Sequence, residues 1–268
     1  MSGRLVQRVC LVTGATGIAA AGARRFAAEG AAVFVVSLDP GACEALADEV
    51  VAAGGRCAWA AADLRDEDAT AGAVGACRTA FGRVDGLFAV AGGSGRRDGD
   101  GPLHEIPLAG WEATFARNGH PAFLALREAV RVMLAQPPRP GGARGAAVLV
   151  GSVLADHPSP RRFATHAYAA VKGAEASLTR TTAAYYAPHG IRVNLVAPGL
   201  VATPMAARAA ADPETVAYAT RKQPLADGLL DPKAIADAAT FLLSDESAMV
   251  TGQTLAVDGG WSVTEAAP

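Results

Sequence analysis

Short apolar runs alternate with alanine-rich helical stretches along most of this chain. Val9–Val12 is apolar, TGATG follows at 13–17, and a helical stretch then extends to Glu29-Gly30. Ala32–Ser37 reads as a second strand, Gly41–Ala53 as a helix, and Cys57–Ala61 as a third strand ending near Asp63-Leu64. Asp66–Phe81 reads as a helix with Gly82 near its end, and Gly86–Val90 as a fourth strand running into Ala91-Gly92-Gly93. Trp111–Ala135 has the period of a long amphipathic helix; Ala146–Gly151 and IRVNLVAPG (191–199) are buried-strand patterns. Pro232–Leu243 is a helix with Asp231 as N-cap and Pro232 in its first turn, and Thr254–Val257 is a last strand.

The strands are continuously apolar, which implies burial on both faces. Their alternation with helices of about 10–15 residues predicts an α/β fold, a parallel sheet covered on both sides. Gly93–Gly101 (GSGRRDGDG) breaks the rhythm and reads as a mobile surface excursion near the strand ends. Pro137–Gly145 reads as an exposed linker, and Met205–Lys222 as an alanine-rich cover over a substrate, within a loop segment at about 200–228. No repeat or linker-like composition shift divides the chain, so one domain over 1–268 is expected.

Composition narrows the function classes. Of 268 residues 51% are hydrophobic, enough for one sizeable core, and no run of 18 apolar residues suggests a membrane span. The start, MSGRLVQRVCLVTG, lacks a secretory signal's apolar core, so a cytoplasmic location is expected. A net charge of −2 gives no electrostatic case for nucleic acid or an anionic membrane. Cys10, Cys43, Cys57 and Cys77 lack C-x-x-C spacing and read as reduced structural thiols. The five histidines show no metal spacing.

The chemistry concentrates between Ser152 and Thr203. Tyr168 and Lys172 are four apart in a helix-compatible stretch, which stacks them on one face roughly 5–6 Å apart at Cβ. A cation there favours tyrosinate and lowers a phenol pKa that starts near ~10, fitting the phenol for proton transfer. The chain has only three lysines, yet Tyr218 and Lys222 repeat the spacing. Context separates the pairs: a strand delivers Ser152 upstream of Tyr168 and another strand follows it, whereas Tyr218 lies in a polar segment and reads as helix decoration. Ser152 otherwise reads as a strand-end hydroxyl, and Asn118 is unfavourable in mid-helix by propensity.

Gly14 and Gly17 sit between the first strand and helix, where backbone amides can approach a pyrophosphate. Ala19 or Ala20 stands where a third glycine is usual. At the end of strand two, Ser37, Leu38 and Asp39 would meet the adenosine ribose. No Arg or Lys lies there for a 2′-phosphate, which favours NAD, with NADP left open because Ser37 can admit the phosphate. Asp63 stands ready for the adenine amino group or, more plainly, as a strand-end or capping carboxylate.

In this order, TGATG, Asp63-Leu64, Ala91-Gly92, Trp111 with Asn118, Ser152, Tyr168-x-x-x-Lys172, IRVNLVAPG, Thr203-Pro204-Met205 and TGQTLAVDGG resemble the short-chain dehydrogenase/reductase family over essentially the whole chain. The resemblance implies a doubly wound Rossmann-type sheet of about seven strands and a catalytic set of Asn118, Ser152, Tyr168 and Lys172. It implies cofactor contacts at Gly14, Thr16, Gly17, Ile18, Ser37, Leu38, Asp39, Asp63, Leu64, Ala91, Gly92, Tyr168, Lys172, Pro198, Gly199, Val201 and Thr203. On this pattern hydride passes between NAD(P) and a small ketone or secondary alcohol. Tyr168 is the acid or base, Lys172 holds the nicotinamide ribose, Ser152 bonds the substrate oxygen, and Asn118 anchors a proton-relay water. It also implies a homo-oligomer, dimer or tetramer, packed through Ala122, Ala125, Ala129, Ala176, Ala183 and Ala184. The glycine turn, the Ala89-Val90 pair and the long Ser152–Tyr168 gap depart from the family. They motivate a rival reading as a non-catalytic dinucleotide sensor. The Gly-x-x-Gly spacing also raises a sugar-nucleotide epimerase, though such chemistry needs a larger C-terminal domain.

Overall fold

The computed structural model describes residues 3–265. Seven parallel strands form one sheet in the order β3-β2-β1-β4-β5-β6-β7. They are β1 (Val9–Thr13), β2 (Ala32–Ser37), β3 (Arg56–Ala61), β4 (Gly86–Ala89), β5 (Gly145–Val150), β6 (Ile191–Pro198) and β7 (Thr254–Val257). The connecting helices are α1 (Gly17–Ala28), α2 (Pro40–Ala52), α3 (Glu67–Phe81), α4 (Leu108–Ala135), α5 (His166–Tyr186), α6 (Ala207–Ala210), α7 (Pro213–Lys222) and α8 (Pro232–Leu243). The predicted elements agree to within three residues at either end. The largest difference is the start of α4, which begins straight after Pro107 rather than at Trp111.

The sheet explains why its strands are apolar throughout. Val9, Leu11, Phe34, Val36, Leu87, Leu149, Val193 and Leu195 point into one core, which α3, α4 and α5 cover. Their neighbours Cys10, Val12, Val33, Val35, Phe88, Val148 and Val196 point into a second core under α1, α2 and α8. The central strands thus supply two cores by simple alternation. Helix starts are fixed by short acids: Asp39, Asp66 and Asp231 accept from Ala42, Ala69 and Lys233 backbone N–H groups at 3.1, 2.7 and 2.8 Å. Gly82, with φ of 82°, ends α3 in the left-handed conformation.

Strands β1 to β3 wind outward on one side of β1 and β4 to β7 on the other. The reversal between β1 and β4 opens a crevice at the strands' carboxyl ends, the usual ligand position in such sheets. After β6 the chain adds three helices and β7, which joins the same sheet. The described residues therefore contain no separate C-terminal substrate domain of the kind the epimerase reading requires.

Candidate active site

The turn after β1 is held open by glycine. Gly14 has φ of 99° and Gly17 of 54°. A Cβ on Gly14 would lie 3.1 Å from that of Ala19, and one on Gly17 would lie 3.0 Å from Thr203 Cγ2. The missing third glycine therefore leaves an alanine methyl that still fits, provided Gly14 stays bare. Thr16 is the exposed N-cap of α1 and makes no side-chain cap bond, and Ile18 is partly buried behind it. Thr203 faces the turn across the crevice. An unobstructed helix start, a bare backbone and a facing wall fit a dinucleotide pyrophosphate. Gly14→Ala should cost about 1–2 kcal/mol for the backbone conformation alone and weaken dinucleotide binding. Thermal melting with and without NAD reads both, and an unchanged pair of curves would remove this turn from the site.

The β4 end is closed by a residue the sequence reading overlooked. Thr13 Oγ1 accepts from Val90 N at 2.9 Å and Ala91 N at 3.0 Å, tying β1 to β4. Gly92 abuts Asn118: a Cβ there would meet Asn118 Oδ1 at 2.6 Å. At the β2 end, Ser37 is half-buried, Leu38 is 68% exposed, and Asp39 caps α2. Asp63 pairs with Arg65, whose hydrogen bonds hold its carboxyl down at about 2, while the Leu64 side chain is buried in the core. Among the β6-end residues, Pro198 and Val201 are buried, and a Cβ on Gly199 would meet Gln223 Oε1 at 2.6 Å.

Gln223 closes the base of the segment from 200 to 228. Its amide bonds Leu200 N and Leu200 O, each at 3.0 Å, and Gly228 O at 2.6 Å. Beside it Val201 and Leu230 form a parallel bridge. Tyr218 is no mere decoration of α7. Its hydroxyl accepts from Ser159 Oγ at 2.8 Å, and its ring meets Trp261 edge-on with centroids 5.7 Å apart. Phe163 packs on the other part of Trp261 at 5.9 Å, so the long stretch between Ser152 and Tyr168 is anchored to the C-terminal end of the fold.

The catalytic quartet of the sequence reading gathers around the first turns of α5. Tyr168 is half-buried, and the Lys172 Nζ lies 5.8 Å from its ring centroid. Ser152 follows β5, and its Oγ accepts from Leu154 N at 3.2 Å. Asn118 is fully buried; it accepts from Gly93 N and donates to Gly93 O, both at 3.0 Å, and to Thr114 O at 2.9 Å. Both its amide hydrogens are thereby taken, and its side chain clamps the β4–α4 loop. Three residues on, Pro121 lacks the N–H that would bond the Arg117 carbonyl, so α4 is relaxed next to the clamp.

That loop is not the mobile excursion its composition suggests. Residues Gly95–Asp98 form a 3₁₀ turn, and Asp100 behind it is buried. The Asp100 carboxylate accepts from Ala167 N at 2.9 Å, Tyr168 N at 3.0 Å and the Thr165 hydroxyl. His166 Nδ1 donates to Gly101 O at 2.8 Å. Thr165, the N-cap residue, makes no cap bond of its own. Asp100 supplies it from another loop, on the helix that carries Tyr168. No local pattern marks that pairing, since 65 or more residues separate the partners.

Lys172 is buried, and its ammonium donates to Val150 O at 2.9 Å and to Glu175 Oε1 and Oε2 at 3.0 and 2.9 Å. This corrects the sequence expectation of an acidified phenol. Loss of water on burial pushes the Tyr168 phenol above its ordinary value; Lys172 and the Ser152 hydroxyl pull it down, and Glu175 pushes it up. Burial works against the Lys172 cation, but Glu175 and Tyr168 more than offset it, and its pKa is raised. The i,i+3 spacing of Lys172 and Glu175 was legible in the sequence.

The geometry is shared with known proteins. A family model described as enoyl-(acyl carrier protein) reductase matches residues 12–262. The cis-4-hydroxycyclohexanecarboxylate dehydrogenase of Sinomonas cyclohexanicum is 37% identical over 98% of this chain and 99% of its own. A Mycobacterium ulcerans short-chain type dehydrogenase/reductase superposes with a TM-score of 0.88 at 30% identity, over 99% of this chain and 92% of that one. An NAD(P)-dependent protein from Beutenbergia cavernae, solved with NADP at low occupancy, gives a TM-score of 0.85 at 34% identity, over 97% of this chain and 99% of that one.

Proposed function

The chain belongs to the short-chain dehydrogenase/reductase family, and from that premise we propose that it oxidises a secondary alcohol, or reduces the matching ketone, with Tyr168 as acid–base group. The observation that carries this reading is the Tyr168–Lys172 pair beside the crevice at the strand ends. A bound NAD(P) would supply the hydride acceptor or donor. In oxidation the Tyr168 phenolate would take the alcohol proton and become the phenol, and in reduction the phenol would give that proton to the carbonyl oxygen. Ser152 donates a hydrogen bond to that oxygen as charge develops on it. Asn118 keeps the β4 end against α4, so that Ala91 and Gly92 line the crevice floor. Gly14, Thr16, Gly17, Ile18 and Thr203 would hold the pyrophosphate, Pro198, Gly199 and Val201 the nicotinamide end, and Asp63 and Leu64 the adenine end.

A ring-borne secondary alcohol is the favoured substrate class, by likeness to the Sinomonas enzyme. A spectrophotometric screen of cyclic hydroxyacids and ketones with NAD(H) and NADP(H) tests the proposal and separates turnover from binding alone. Absence of turnover with the whole panel would count against it.

NAD is the favoured cofactor, because Ser37 and the exposed Leu38 offer a 2′-phosphate no cation. Ser37→Asp should then leave NAD binding nearly intact and weaken NADP by about tenfold or more, since a carboxylate would face the phosphate. Equal losses for both, in fluorescence titrations, would move the ribose elsewhere. The chain acts as one domain over 1–268 with residues 200–228 as its substrate loop. Its four free cysteines, three of them buried, suit a reducing cytoplasm. No helix among the described residues is long and apolar enough to cross a membrane. Self-association is expected on the outer face of α4, where Phe123 is 45% exposed. The alanines at 122, 125, 129, 176 and 183 are buried within the subunit and leave only Ala184 of that set outside.

A further inference from the structure

The Lys172 ammonium has three protons, and three protein oxygens stand within hydrogen-bond distance of it. Two belong to Glu175, itself 3% exposed and held by no other hydrogen bond through its carboxylate among the described residues. A buried carboxylate beside a buried ammonium is costly to desolvate and is weak evidence of stabilisation alone. Its position suggests another consequence. On α5, Tyr168, Lys172 and Glu175 follow one another at i, i+4 and i+7, along one face.

We infer that Glu175 is a positioning residue of this active site, which turns the Lys172 ammonium toward Val150 and limits how much of its positive charge reaches the Tyr168 phenol. The inference rests on the reading of Tyr168 as the acid–base group. The groups facing the phenol and its partner from other elements are few. From the end of β5 come the Val150 carbonyl and the Ser152 hydroxyl. From α4 comes the uncharged Asn118, clamped to Gly93. From the β4–α4 loop comes the Asp100 carboxylate, bound to backbone N–H groups of α5. His166 points back to Gly101. Within α5 itself, Lys172 and Glu175 are the charged groups that act on Tyr168, with opposite signs.

The same arrangement bears on cofactor binding. For Lys172 to reach a ribose hydroxyl, at least one of its bonds to Glu175 must give way. Glu175, whose pKa burial already raises against the pull of Lys172, is then the acceptor left without its donor. Dinucleotide binding should therefore be eased when Glu175 is replaced by a neutral amide.

The test is the ultraviolet titration of tyrosinate in the cofactor-free protein, with Tyr168→Phe as the blank that identifies the Tyr168 signal. Glu175→Gln should move that midpoint down by roughly one unit or more, the size expected for removing a nearby like charge. The rising limb of alcohol oxidation against pH should move down with it, and dinucleotide should bind several-fold more tightly. An unmoved midpoint overturns the inference. If Glu175→Gln does not fold, Glu175→Asp draws the carboxylate back by one methylene. A smaller downward shift then supports the inference and none overturns it. A shifted titration in a protein without dehydrogenase activity would leave this inference standing and sink the functional reading instead.

Discussion

Tyr168→Phe should lose about 10²- to 10⁴-fold in turnover, the range that positioned acid–base groups contribute, while the dinucleotide still binds. The substitution removes one hydroxyl from a half-buried ring and leaves the ring's packing and the Lys172–Glu175 pair in place. Folding should therefore be nearly unaffected, and melting curves of the two proteins should overlay closely. On the proposed reading the phenol exchanges a proton with a substrate oxygen, and the Ser152 hydroxyl helps to pull its pKa down. Steady-state rates with the best alcohol from the screen, paired with a fluorescence titration of NADH, separate the two quantities. A mutant that turns over at near-normal rate would remove Tyr168 from the chemistry, whatever the likeness to known dehydrogenases.

Asp100→Ala should be the most damaging change outside the quartet. It deprives Ala167 N, Tyr168 N and the Thr165 hydroxyl of their shared acceptor, on the first turn of α5. Loss of an N-cap acceptor costs about 1 kcal/mol, and leaving buried donors unpaired adds about as much or more. At about 2–4 °C per kcal/mol for a chain of this size, melting should fall by several degrees. The larger effect is on rate. Tyr168 sits on that turn, and displacement of a catalytic group by about 1 Å can cost on the order of 10²-fold. Asp100→Asn keeps one acceptor and should recover part of both losses. A variant that melts lower but keeps its kcat would make Asp100 a structural cap and nothing more.

The split between what the sequence disclosed and what it concealed follows the range of the interactions. Strands such as Val33–Val36 and Ala146–Val150 were legible because a sheet buried on both sides demands unbroken apolar runs. Caps such as Asp39 and Asp231 act within a few residues of themselves, so their spacing announces them. Tyr168 and Lys172 needed only the helical repeat and the strands around them. Asp100, Thr13 and Gln223 were not legible: they act on partners 65 to 68, 77 to 78 and, for Leu200, 23 residues away, and only the fold brings those together. Their surroundings in the sequence, a glycine-rich loop and an alanine-rich helix, suggested looseness where the structure has buried hydrogen bonds. Glu175 was a different kind of miss. It lay in view, three places after Lys172, and its charge adds to the burial that pushes the Tyr168 phenol up.

Because the Gln223 amide grips both Leu200 and Gly228, and Val201 is laced to Leu230, the chain leaves and re-enters the sheet region at a single fixed doorway. Whatever is grafted between those posts inherits the same two anchorages. Exchanging residues 205 to 217 for those of a relative would thus keep both posts, together with Thr203 at the Gly17 turn and Tyr218 on Ser159 and Trp261.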